Sequence, residues 1–380
     1  MPDLWIRGGR LILPERNTVL LGDLAVEGSH IAAVGKRGPR ASAQELWVDG
    51  LYVAPGFLDL HVHGGQGYAF GDDEEEVLSA IVRFHQAHGT TGMLATTVAT
   101  SVERLRALAQ RVAELQDPAI LGLHLEGPFI APKQKGAQNP AFLLPPSLEL
   151  FERMVAGLEP LVRIVTLAPE LAGAHTLIYK IQELGAIPAL GHSDATYAEA
   201  MAAISAGVRL FTHLGNAMRG LHHREPGAVG AALDSPAFVE LICDGVHLHP
   251  AFVRLVAKAK GYDRICLVTD AISAAGLGNG EYSLGGLPVL VKEGIARLPD
   301  GTLAGSTLTL DRAIRNFREF TGCSLPEAVR CATLNPARLL GIDDRKGSLA
   351  PGKDADLVVF DEDLTVHYTI VGGRIVYQRG

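Results

Sequence analysis

Residues 187–213 read IPALGHSDATYAEAMAAISAGVRLFTH, a short apolar run ending in Gly-His, a stretch of helical period over 197–206, and a second short run ending in Thr-His. Short apolar runs bounded by turn residues predict strands, and the stretch between them is long enough for the right-handed crossover that joins parallel strands. The same unit recurs on both sides. Predicted strands lie at 56–61, 92–97, 120–126, 164–168, 187–192, 209–213, 239–243 and 265–270, with amphipathic stretches at 74–88 and 102–115 between the earlier ones. Eight strand-then-helix units between residues 55 and 275 are what a closed (β/α)8 barrel requires.

Outside this block the texture changes. Residues 3–50 alternate and turn at Gly without helical period, and the tail from Ala355 (ADLVVF, VHYTIVGGRIVYQ) does the same, which predicts antiparallel strands at both ends. Isolated hairpins are marginal in water, so the two ends are expected to pair. The predicted organisation is a small β-sandwich domain from 1–52 and 345–380 beside a barrel domain at 53–344, with helices at 308–320 and 325–333 leading out of the barrel.

Composition narrows the function. The 380 residues are 47% hydrophobic and 20% charged, with 34 basic against 42 acidic side chains and a formal charge of -8. No basic run offers a footprint for nucleic acid or a membrane surface, so neither is expected as a partner. The amino terminus lacks a basic-then-apolar signal, and the four Cys are scattered without a C-x-x-C pair, so reduced thiols in a cytoplasmic protein are expected. Fourteen His invite a search for metal ligands.

That search converges on the carboxyl ends of the predicted strands. Strand one ends in His61-Val62-His63, strand three in His124-Leu125-Glu126, strand five in His192, strand six in His213 and strand eight in Asp270. Barrel active sites sit at these ends. In an extended segment His61 and His63 point the same way, because side chains repeat with period two. Imidazole and carboxylate together suit Zn²⁺ or Fe²⁺, whereas Mg²⁺ or Ca²⁺ would draw mostly oxygen. Taken singly, H-x-H could be a hydrogen-bonded pair and Glu126 or Asp270 a structural carboxylate. Their shared place in five strands has no packing explanation and points to a metal site.

The motifs PGFLDLHVHG (55–64), HLEGPF (124–129), GHSDAT (191–196), THLGNAM (212–218), REPG (224–227), DGVHLHP (244–250), VTDA (268–271), AGSTLTLD (304–311) and the closing NPARLLG with GSLAPGKDADLVVFD resemble those of N-acetylglucosamine-6-phosphate deacetylases of the amidohydrolase superfamily. The resemblance spans essentially the whole chain. It implies a principal divalent metal on Glu126, His192 and His213, with Asp270 orienting the attacking water, taking its proton and passing it to the departing amine. His61 and His63 match a pair that supplies a second metal in some members, so one or two metals per subunit are implied. For the substrate, an amino-sugar phosphate, the resemblance implies a phosphate contact from His247, a phosphate-side loop at Asn216 and Ala217, and an arginine, Arg224, reaching in from the neighbouring subunit of a homodimer. An intramolecular ion pair of Arg224 with Glu225 or another nearby carboxylate is the plainer alternative.

One departure matters. Many members carry a His in the segment that reads GAQNP here, so that Gln138 stands where an imidazole polarises the acetyl carbonyl. A Gln amide can donate to a developing oxyanion but cannot become cationic. Two other readings compete. Dihydroorotases, hydantoinases and isoaspartyl dipeptidases often use a carboxylated Lys near the end of strand four, where this chain has IVTLAPE and no Lys. A non-catalytic scaffold of the same fold would be expected to have lost ligands that are all present here. The remaining His are expected at loops (His222, His223, His249) or on solvated faces and helix ends (His85, His88, His175, His367).

Overall fold

The computed structural model describes residues 3–35, 44–72 and 76–380. The eight expected runs form one parallel sheet in which each strand is hydrogen-bonded to the next in chain order: Phe57–Val62, Thr90–Thr97, Ile120–Glu126, Val162–Leu167, Ile187–Leu190, Leu210–Phe211, Phe238–Leu241 and Ile265–Leu267. A parallel bridge between Val62 and Ala271 joins last to first. There His63 N donates to Ala271 O and Asp270 N to His61 O, each at 2.8 Å, and the sheet closes into a (β/α)8 barrel.

Three strands stop short of the residues expected at their ends. His192, His213 and Asp270 have φ of 48°, 32° and 50°, in the left-handed region that breaks a β-ladder. Such conformations cost of order 1–3 kcal/mol each and persist where surrounding structure holds them. Here they turn three side chains into one cavity.

The helices follow their sequence signals. Val102–Leu115 and Tyr197–Ala206 have the expected bounds, and the second is opened by a capping box between Thr196 and Glu199. Val77–Gln86 lies inside the expected 74–88, whose first two positions fall outside the described residues. This helix corrects one expectation. His85 is fully buried rather than solvated, because it lies on the face that packs on the barrel, where its Nε2 meets Gly64 O at 3.0 Å. Burial pushes its imidazole down to about 4.

The two chain ends share one eight-stranded sheet around a separate apolar core that includes Ile6, Leu11, Leu24, Val53, Leu357 and Ile370. It is not antiparallel throughout. Leu4–Leu13 runs parallel to Gln44–Trp47 through its first half and to Tyr52–Pro55 through its second. The change of partner falls at Gly8, where φ is +69°, a backbone conformation that favours glycine.

A further sheet was not anticipated. Gly280–Leu284, Leu287–Lys292 and Ile295–Arg297 form an antiparallel three-stranded unit with its own core of Ile272, Leu284, Val289, Val291 and Leu298. Its signal was present in the sequence: Gly285-Gly286 and Glu293-Gly294 are two-residue turns with positive φ at both positions, flanked by alternating apolar residues. Leu284 from this sheet reaches the wall of the active-site cavity.

Candidate active site

The strand ends converge as the barrel geometry demands. Glu126 Oε1 lies 3.1 Å from His192 Nε2 and 3.0 Å from His213 Nε2, and the two imidazole nitrogens are 3.1 Å apart. Beside them, His61 Nε2 and His63 Nε2 are 3.2 Å apart, and Asp270 Oδ1 is 3.1 Å from His63 Nε2 and 3.6 Å from His61 Nε2. Glu126 links the two groups, with Oε1 3.4 Å from His61 Nε2 and Oε2 3.4 Å from His63 Nε2.

Three of the four imidazoles are presented by their other nitrogen, whereas His213 Nδ1 is buried without a hydrogen-bond partner among the described residues. His192 Nδ1 faces Gln134 O at 2.9 Å and His63 Nδ1 faces Thr96 O at 3.2 Å, so both carry the proton on Nδ1 and turn the Nε2 lone pair inward. His61 Nδ1 faces the carboxylate of Glu240 at 3.1 Å. Imidazole lone pairs thus face carboxylate oxygens, with no donor among the inward nitrogens of these three rings unless an imidazole takes a second proton. Three carboxylates, Glu126, Glu240 and Asp270, are buried in this cluster. Burial pushes Glu126 up, but the facing His61 and His192 outweigh it and hold its carboxyl well below the usual range. Burial pulls His61 and His63 down, yet Glu126 and Asp270 drive them up to about 9 and 10. The cluster therefore demands positive charge, which a divalent cation supplies without protonating its ligands. The donor set fits such a cation in two groups, Glu126–His192–His213 and His61–His63–Asp270.

These atoms line a cavity of about 360 Å³. Nine of the eleven residues singled out from the sequence are in its wall: His63, Glu126, Gln138, His192, His213, Asn216, Ala217, His247 and Asp270. His61 sits fully buried behind them. Ala217 has φ of 48°, and its carbonyl accepts from Ser193 N at 3.1 Å. His247 Nδ1 is held by Asp244 Oδ2 at 2.7 Å; burial lowers its pKa, but Asp244 outweighs that and raises it, which favours the cationic form. Gln138 is locked in orientation. Its Oε1 accepts from Ala99 N at 2.7 Å, so its amide nitrogen must face Glu126 Oε2, to which it donates.

Arg224 is apart from this cavity, on an exposed loop with Nη1 at 2.8 Å from His223 Nε2. The alternative ion pair with Glu225 does not form, because Glu225 Oε1 accepts from Tyr197 N and Gly227 N instead. A larger cavity, of about 490 Å³, opens on the other side of His63 and Leu284 and contains only His63 of the convergent groups.

Several contributors were missed. Glu240 and Asp59 are charged residues inside otherwise apolar barrel strands, a signal legible in VELIC and FLDLHV. Asp59 fastens strand one to strand eight through Thr269 Oγ1 at 2.6 Å. Burial raises its carboxyl to about 7 despite that bond. Lys133, on the cavity rim, pairs with Asp194 at 2.6 Å.

The chain was compared with known proteins. The amidohydrolase family profile matches residues 52–376. A Bacillus subtilis protein named N-acetylglucosamine-6-phosphate deacetylase is 39% identical over 377 residues, covering 96% of this chain and 95% of its own. An Escherichia coli O157:H7 protein named N-acetylgalactosamine-6-phosphate deacetylase is 39% identical over 333 residues, covering 86% of this chain and 88% of its own. A solved Mycobacterium smegmatis structure, a variant of N-acetyl-D-glucosamine-6-phosphate deacetylase in complex with N-acetyl-D-glucosamine-6-phosphate, superposes with a TM-score of 0.94 at 35% identity and 100% coverage of both chains.

Proposed function

We propose, given that this chain belongs to the amidohydrolase family and to its N-acetylglucosamine-6-phosphate deacetylase branch, that it hydrolyses the acetamide of N-acetylglucosamine 6-phosphate to glucosamine 6-phosphate and acetate. The observation that carries this reading is the meeting of Glu126, His192, His213 and Asp270 in one cavity of a chain similar over its length to such enzymes. Glu126, His192 and His213 would hold a divalent metal, and His61 and His63, which lie close to Asp270, would hold a second. The imidazole-rich donor set favours zinc or ferrous iron. When bound, such a cation lowers the pKa of water towards about 7 and polarises a carbonyl.

The chain's own groups do the rest. Asp270 takes the proton of the attacking water as it adds to the acetamide carbon. It then delivers that proton to the nitrogen, which leaves as an amine instead of an amide anion. His247 and the loop at Asn216–Ala217 take the phosphate end. Gln138 has two N–H donors, of which one serves Glu126, leaving the other for the developing oxyanion. Gln138→Ala should lower kcat by about 10²-fold, and Gln138→His should alter kcat as well. Unchanged kcat in both variants removes Gln138 from this role.

Arg224 is exposed and does not line its own cavity, which is compatible with the role that the family resemblance implies for it, at the phosphate site of the neighbouring subunit of a homodimer. Arg224→Gln should raise KM for the phosphorylated substrate about 10–100-fold, as expected for a charged hydrogen bond, while the protein still sediments as a dimer. A monomeric wild type with full activity overturns the assignment.

The defining assay is acetate release from N-acetylglucosamine 6-phosphate before and after chelation, with Zn²⁺ or Fe²⁺ returned. Turnover of a cyclic amide in its place would overturn the reading. Because the galactosamine-named relative is as similar as the glucosamine-named one, both epimers belong in the assay. The four buried free cysteines accord with a cytoplasmic enzyme of amino-sugar catabolism, and no helix among the described residues is long and apolar enough to cross a membrane.

A further inference from the structure

Glu240 stands in the seventh barrel strand, Phe238–Leu241, between apolar neighbours, and is fully buried without lining the cavity. Removing a carboxylate from water costs several kcal/mol unless its partners repay it, and packing alone would place an aliphatic residue here. The partners are specific. Glu240 Oε2 accepts from His61 Nδ1 at 3.1 Å and from the main-chain N–H of His213 at 3.1 Å. One oxygen therefore ties strand one to the left-handed turn that ends strand six.

His61, Glu240 and His124 lie close enough together to suggest a third cation group, but His124 has no nitrogen to spare. Its Nδ1 meets Leu60 O at 2.9 Å and its Nε2 meets Thr166 Oγ1 at 2.7 Å. Glu240 is thus left to act on His61 and His213. The backing of His61 also differs in kind from that of its neighbours, since His63 and His192 rest on neutral main-chain carbonyls and His61 on a carboxylate. A carboxylate behind an imidazole fixes the tautomer and raises the basicity of the nitrogen that faces a metal.

We infer that Glu240 is a positioning residue for the cation centre, fixing His61 with Nε2 aimed at the His63–Asp270 group and holding the His213 main chain, so that it governs how tightly the cation at His61 is kept. The inference rests on the reading that these clusters hold divalent cations. Glu240→Gln keeps the size and an accepting oxygen but removes the charge, and outer partners of this kind are typically worth 10–100-fold in metal affinity.

The test is zinc titration of metal-free wild type, Glu240→Gln and His61→Asn against a chromophoric chelator, together with the thermal midpoint of each metal-free protein. We expect Glu240→Gln to weaken, by about 10–100-fold, the same binding component that His61→Asn removes. If Glu240→Gln lowers only the metal-free thermal midpoint and binds zinc as wild type does, the residue is merely structural and the inference fails. If Glu240→Gln does not fold, Glu240→Asp, which is one methylene shorter, should show the weakened component, and wild-type affinity there overturns the inference. A wild type that binds no zinc, iron or other divalent cation overturns the functional reading too, whereas metal-dependent acetate release with unaltered binding in Glu240→Gln overturns this inference alone.

Discussion

Asp270→Asn is expected to abolish acetate release while leaving the barrel and the Glu126–His192–His213 group in place. The Asp270 carboxyl is drawn in two directions, burial pushing it up and the facing His61 and His63 pulling it down to about 2, so it is a carboxylate at any working pH. Asn keeps the shape and removes the basicity. It also suits the backbone, because φ at this position is 50° and Asn tolerates the left-handed region better than most residues. Ala there would add strain to the chemical loss. General acid–base catalysis contributes about 10²–10⁴-fold, and Asp270 serves both proton transfers. We therefore expect kcat to fall by about 10³–10⁴-fold, or roughly 4–5.5 kcal/mol, while the cation at Glu126–His192–His213 is retained. Retention of kcat within tenfold of wild type would remove Asp270 as the proton carrier.

The second large effect is loss of the cation. Stripping with a strong chelator should abolish turnover, and Zn²⁺ or Fe²⁺ should restore it. Glu126→Gln should behave like the stripped enzyme and should not be rescued at the same metal concentration. Glu126 contacts all four inward imidazole nitrogens, at 3.0–3.4 Å, and its charge is what makes the pocket attractive to a cation. A neutral amide leaves those imidazoles without a shared anion. Metal analysis and acetate release read the two consequences separately. Full activity in the chelated protein would exclude a metal-dependent mechanism.

Much of the site was legible in the sequence because it is built from repeats of a local pattern. A short apolar run, a turn and an amphipathic helix announce a barrel strand and its crossover, and the barrel brings the carboxyl ends of all such strands to one face. His61, His63, Glu126, His192, His213 and Asp270 could therefore be grouped before any distance was known. The three-stranded sheet at 280–297 is equally local in its turn chemistry, but it lies after the eighth barrel strand, outside the strand-then-helix alternation.

Other features depend on which strands become neighbours across the barrel. That Glu240 of strand seven supports His61 of strand one is a distance between positions 179 residues apart, and no periodicity encodes it. The locked orientation of Gln138 depends on the main-chain N–H of Ala99, in the loop after strand two. Glu225 accepts from the backbone N–H groups of Tyr197 and Gly227 and not from its neighbour Arg224, a choice that depends on the turn around it and not on the sequence pair. Strand and helix period determined the fold and grouped the strand-end His, Glu and Asp residues, because these are local properties, while the reaction class came from the likeness of whole motifs to a known family. Tertiary structure decided the orientation of each ligand and its buried support, because left-handed turns and buried carboxylates persist only where distant strands repay their cost.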